Sequence, residues 1–145
     1  MFLGTYDHTL DAKGRLVMPV KFREKLEGGC VITPGQEDCL TVWPMDVFEK
    51  EYDRIANLPG TDRDARMYRR MMFAVAADLT LDAQGRIPIP ENLREWTGMV
   101  KDVTVTGSGP LIELWAKEAW ESERSEAGDF FSNISSPLDL DGKTI

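Results

Sequence analysis

Nine residues occur almost twice in this chain: Asp11–Pro19 reads DAKGRLVMP and Asp82–Pro90 reads DAQGRIPIP. Sliding the sequence by 71 positions lays Asp7–Glu24 over Asp78–Glu95, with ten of eighteen positions identical. One extra residue later the match resumes, with Val31 over Val103, Leu40 over Ile112 and Trp43 over Trp115. Each copy therefore reads in one order: a polar hairpin, a short helix started by proline, an apolar stretch, a turn, a strand ending in Trp, and a longer helix. Neither copy has enough residues for a core of its own, and a small sheet with one apolar face is not stable unpaired, so the two copies must pack together. The expected fold class is α+β, a pseudo-twofold β-barrel with interleaved hairpins flanked by helices. Residues 1–145 form one domain in this reading, with repeat 1 over 5–58, repeat 2 over 76–125 and a flexible tail over 130–145.

Local signals support the outline. In HTLDAKGRLVM, Asp11 can accept hydrogen bonds from amides a few residues on and Gly14 can take a positive φ, so the chain reverses into a strand over Leu16–Met18. Pro19 and Pro90 suit a first helical turn, and Phe22 with Leu26, or Leu93 with Trp96, supply an inner face. CVIT and CLTVW flank the turn-forming PGQED, while DVTVT and LIELW flank GSGP. Phe48, Tyr52 and Ile55 mark an amphipathic helix that Pro59 and Gly60 stop, and TDRDARMYRRMMF opens with capping residues as a further helix. After Trp115 a helix carries Ala116, Ala119, Trp120 and Glu123 near one side. Beyond Asp129 the sequence loses periodicity, although Phe130 and Phe131 could dock on a surface.

Composition enters through charge. A net charge of −8 argues against a polyanionic partner, yet it is unevenly spread: residues 1–71 carry −1 and 72–145 carry −7. Lys13 to Lys25 holds five cations against Glu24, the most basic stretch of the chain. Cys30 and Cys39 lie without neighbouring ligand pairs, which favours reduced, buried thiols over zinc or a disulfide. No apolar run is long enough for a membrane span and no signal-peptide pattern opens the sequence, so a soluble, cytoplasmic protein is expected.

The Asp and Gly of DxxGR satisfy turn chemistry, but the arginine that follows, Arg15 or Arg86, is not what a strand prefers. It is either a solvated cation that guards a strand edge, or a guanidinium held at fixed height to bind phosphate or the O6/N7 edge of guanine. Lys13, Arg15, Lys21, Arg23 and Lys25 favour the second reading in copy one. Copy two is weaker, because Gln84 replaces Lys13 and Glu91 and Glu95 offset Arg86 and Arg94; packing between subunits is an alternative use for it. Arg63, Arg66, Arg69 and Arg70 form another basic cluster, read as a solvated face or subunit contact rather than a DNA site. For catalysis the inventory is poor. His8 stands alone and no phosphate loop, metal cluster or nucleophile elbow is present, so neither an enzyme nor a cofactor is indicated. Gly107-Ser108 could mimic the self-cleaving bond of pyruvoyl-dependent decarboxylases, but SGP is also an ordinary turn.

At the two DxxGRxxxP stretches, and in the opening MFLGTYDHTLDAKGRLVMPVKFR, the chain strongly resembles the MraZ family. The resemblance covers nearly the whole chain to the second Trp helix. It implies a DNA-binding transcriptional regulator of the division and cell-wall gene cluster, with the swapped-hairpin barrel of AbrB-type regulators present twice per chain. It also implies recognition of direct repeats in double-stranded promoter DNA and assembly of homo-oligomers into closed rings, in the cytoplasm on the nucleoid. Carried onto this sequence, the DNA-facing arginine is Arg15, with Lys13 and Gly14 in the same turn and Arg86 at the matching place in copy two; Lys21 and Arg23 join the candidate DNA-binding residues from the basic stretch itself. No metal or small-molecule ligand is implied.

Overall fold

The computed structural model describes residues 1–143. Copy one comprises strands β1 (Thr5–Thr9) and β2 (Arg15–Val17), the short helix α1 (Val20–Arg23) continued by a 3-10 turn (Glu24–Leu26), strands β3 (Cys30–Pro34) and β4 (Leu40–Pro44), and helix α2 (Met45–Ala56). Helix α3 (Arg63–Phe73) links it to copy two. There the same order recurs as β5 (Ala77–Leu79), β6 (Arg86–Pro88), α4 (Glu91–Thr97), β7 (Asp102–Ser108), β8 (Leu111–Ala116) and α5 (Lys117–Asn133). Pro19 and Pro90 both stand at the N-cap, one position outside the helices they were expected to begin. Asp62 caps α3 by accepting from the Asp64 amide.

The main sheet runs β1-β7-β8-β4-β3-β5, entirely antiparallel, while β2 and β6 pair with each other in a separate two-stranded ribbon. Exchange of the two copies maps this order onto itself, with the pseudo-twofold between β8 and β4. The first strand of each copy lies against the other copy: β1 on β7, with His8 opposite Val103, and β5 on β3, with Val31 opposite Asp78. The expected closed barrel does not form among the described residues. Each hairpin's second strand is three residues long and leaves the sheet for the two-stranded ribbon, so β1 and β5 remain edges. Helix α5 also continues past Asp129 to Asn133, so the segment expected as a flexible tail begins as helix. Because α5 buries none of its residues, no apolar period announces that extension.

One core holds the copies together. Leu16 and Ile87 face each other at the centre of the ribbon, both fully buried, and join Met18, Leu26, Ile32 and Leu93 from the two halves. Phe22 meets Phe2 and Tyr6 edge to face, with centroids 5.1 and 5.3 Å apart. Phe2 reaches that position because its backbone crosses Gly107, where any Cβ would collide with Phe2 and Leu3 backbone atoms. The Gly107 amide also donates to the Gly4 carbonyl at 2.8 Å. Close passage of the N-terminal segment thus accounts for Gly107, the first glycine of GSGP. Cys30 and Cys39 are buried and free; burial pushes their thiols up to about 11 and about 12, which keeps them protonated and unreactive at neutral pH.

Candidate nucleic-acid interface

The two hairpins are built identically from their backbones upward. The Asp11 amide donates to the Arg15 carbonyl at 2.9 Å and the Gly14 amide to the Asp11 carbonyl at 3.0 Å; Asp82, Arg86 and Gly85 repeat both bonds at the same distances. The aspartate carboxylate fills the turn. Asp11 Oδ1 accepts from the amides of Lys13 and Arg15, and Asp82 Oδ1 from those of Gln84 and Arg86, all at 2.9 Å. These bonds, the arginine amide's foremost, hold both carboxyls below the usual aspartate value of 3.8 against an opposing effect of burial.

The second carboxylate oxygen orients the arginine. Arg15 Nε donates to Asp11 Oδ2 at 2.7 Å and Arg86 Nε to Asp82 Oδ2 at 2.8 Å. Because Leu16 and Ile87 point inward, strand alternation turns Arg15, Val17, Arg86 and Pro88 to the opposite, outer face of the ribbon. The pairing of β2 with β6 therefore brings Arg15 and Arg86 to one surface, with Arg86 Nη1 4.0 Å from Asp11 Oδ2. Their side chains keep 30% and 26% of their exposure. A guanidinium tied down at Nε still has its Nη donors for a planar, two-pronged anion or base edge. The two are not equally free to do so: Arg86 Nη2 also donates to Gln84 Oε1 at 3.3 Å. Lys13 is exposed at the tip of the first turn, and Lys21 is exposed on α1.

Arg23 is placed differently from its neighbours. It is half-buried, donates from Nε to the Met18 carbonyl at 2.9 Å, and lies across Gly85 of the other copy so closely that a Cβ there would collide with its guanidinium. Arg94, which the sequence pattern did not single out, does the same in reverse. Its Nε donates to the Ile89 carbonyl at 3.0 Å, and a Cβ on Gly14 would fall 2.9 Å from its Cζ. Each helix arginine thus clamps the opposite hairpin. Gly14 and Gly85 have φ of +73° and +77°, so both the turn and the clamp require glycine. A signal for Arg94 did exist, since Arg23 and Arg94 occupy matching places in the duplication.

Lys25 is exposed in the middle of the 3-10 turn. The α3 cations lie on another element: Arg66 Nη1 donates to the Gly60 carbonyl at 3.0 Å and Arg69 Nη2 to the Leu58 carbonyl at 2.9 Å. Two of the α3 arginines thus bind the loop that precedes their own helix.

Comparison with known proteins agrees with the duplication. A family described as "MraZ protein, putative antitoxin-like" matches twice, over residues 1–71 and 72–139. A protein of Salinispora tropica named "Transcriptional regulator MraZ" is 46% identical over 134 residues, covering 92% of this chain and 94% of its own. One of the same name from Leuconostoc mesenteroides is 44% identical over 138 residues, covering 95% and 96%.

Proposed function

Because the chain belongs to the MraZ family, we propose that it is a DNA-binding transcriptional regulator rather than an enzyme, acting in the cytoplasm on the nucleoid. Its target is the promoter of the division and cell-wall gene cluster, where it binds direct repeats through several hairpins of a closed ring. The interleaved strand order and the shared hairpin ribbon support an AbrB-like, swapped-hairpin ancestry. No helix among the described residues is long and apolar enough to cross a membrane.

One observation carries this reading: Arg15 and Arg86 project from a single outer ribbon face, each aimed by an aspartate that leaves Nη donors for a ligand. The exposed Lys13 of the same turn and Lys21 of α1 supply positive charge for phosphates, while Arg15 reads a guanine edge. Arg23 contributes by holding the second hairpin, and Gly14 by allowing the first. The negative total is compatible with DNA because the acidic excess belongs to the second half, and several copies on one duplex add their modest basic patches.

The test is binding to duplexes carrying one, two or three direct repeats and to a scrambled control, each titrated with salt. The expected result is a steep rise in affinity from one repeat to two, and a fall with salt set by the number of phosphates neutralised. Equal affinity for the scrambled duplex, or retention no greater than that of a protein that only assembles, rejects the reading.

A further inference from the structure

Three features of the molecule stand outside the ribbon and fit one another. The first is an open groove of about 810 Å³, lined by Trp43, Met67, Tyr68, Met71, Trp96 and Leu111. Leu93 and Trp96 were both expected on the inner face of their helix; Leu93 is fully buried there, but Trp96 is 40% exposed in the groove. Met67 and Met71 on α3 are also exposed there. Three large apolar side chains on one concave surface mark a docking site rather than scattered exposure.

The second feature is the C-terminal arm. Helix α5 packs on β7 and β8, yet Phe130 and Phe131 near its end are 57% and 76% exposed, and Leu138 and Leu140 beyond it are exposed as well. Among the described residues the chain thus carries an open apolar groove and an exposed aromatic arm that does not line it.

The third feature is a turn that the duplication did not disclose. Residues Asp139 to Lys143 read DLDGK and repeat the hairpin of Asp11–Arg15. The Gly142 amide donates to the Asp139 carbonyl at 3.0 Å, and Asp139 Oδ1 accepts from the amides of Asp141 and Lys143 at 3.0 and 2.8 Å. The first two hairpins are clamped by an arginine of the opposite copy, whereas a Cβ on Gly142 would meet nothing within 4 Å. Asp141 stands where Lys13 stands in the first hairpin, so this turn presents carboxylates in place of a cation.

We propose that the arm of residues 130–143 of one copy docks on the α3 side of a second copy, with Phe130 and Phe131 in the groove and the Asp139–Asp141 turn against Arg63 and Arg70. Charge sets the orientation. Residues 117–143 carry seven acids against three cations, and Arg63–Arg70 carries four cations against Asp64. The groove itself holds Glu37, Asp64 and Glu113, so the part of the arm that enters it is the aromatic pair and the carboxylates remain over the exposed arginines. A second copy is the occupant because the chain's own arm leaves this groove open. An arm on one face and a groove on another make a head-to-tail contact, the kind that closes rings. The inference rests on the oligomer of the proposed function and names its joint.

The test is native mass spectrometry and sedimentation of the full chain without DNA. Phe130→Ser with Phe131→Ser and, separately, Met67→Glu with Met71→Glu should each reduce the oligomer to monomer. All four positions are exposed, so the fold should persist by circular dichroism. An equimolar mixture of the two variants should recover a one-to-one dimer, since one intact arm then meets one intact groove. Arg70→Asp and Asp141→Arg should each weaken assembly and together restore it, because the Asp139 carboxylate that closes the turn is kept. Oligomers unchanged in both variants, a mixture that stays monomeric, or a monomeric wild type overturns the docking. Arg15→Ala separates the two readings: it should keep assembly intact and lose operator affinity, so failure of the joint and failure of the DNA reading leave different records.

Discussion

The first and second hairpins share a backbone and differ in charge. Both have the aspartate that receives two amides and a guanidinium, the positive-φ glycine, and an arginine clamp from the opposite copy. They differ at exposed positions, with Lys13 against Gln84 at the tip and Lys21 against Asn92 on the following helix. The aspartate, the glycine and both arginines of the device are kept in each copy, while the charge at these exposed positions is not. The duplicated part is thus the device that holds an arginine outward, while the charge around it is particular to copy one.

This comparison can be broken most forcefully at the glycines. Gly14→Val and Gly85→Val should each destabilise the protein by about 3 kcal/mol in denaturant melts, from the strained φ and the displaced arginine clamp. A large loss at one position and none at the other would end the claim that the clamps are equivalent. At the arginines the hairpins should separate. Arg15→Ala is expected to weaken operator binding by about 1 to 3 kcal/mol per engaged subunit. Arg86→Ala should weaken it less, because the Arg86 guanidinium is already shared with Gln84 and lies near Asp11. The opposite order, measured by fluorescence anisotropy, would make the second hairpin the reader.

A charge exchange sharpens the comparison further. Gln84→Lys should steepen the salt dependence of binding and Lys13→Gln should flatten it, each by about 0.9 in the logarithmic slope per phosphate newly neutralised or set free. An unchanged slope in both variants would separate the hairpin tips from the phosphates. The smallest expected effect concerns the aspartates, where the hairpins should again coincide. Their carboxyls titrate below 3.8 in the folded chain, so their contribution to stability is complete at neutral pH and is lost as pH falls through and below that value. Carboxyl carbon NMR titration should give both midpoints below 3.8; a normal midpoint for only one would show that its turn is open in solution.

Much of the hairpin is legible in the sequence, because an Asp-x-x-Gly turn is made by atoms within about five residues. The arrangement around it is not. Arg23 looks like part of one basic surface when the chain is read along its length, yet it faces Gly85 in the other copy. Arg94 reads along the chain as a cation offset by glutamates, though it holds Gly14. Trp96 follows Leu93 at helical spacing, but the buried line of this helix runs through Leu93 and Thr97, which leaves Trp96 to one side of it. The DLDGK turn has no signature at the level of the repeat, because the arm around it lacks the strand and helix that make the first two copies recognisable.

By itself the sequence determined a duplicated α+β chain with two rigid arginine-bearing turns, because repetition and turn chemistry are short-range and survive any packing. The tertiary structure alone decided that β1 pairs with β7 and β5 with β3, that Arg15 and Arg86 share a face, and that a groove beside α3 stays open. Those outcomes depend on which distant backbones find each other, as when Leu16 meets Ile87. That pairing is set by burial of apolar surface from both halves at once, and no local pattern encodes it.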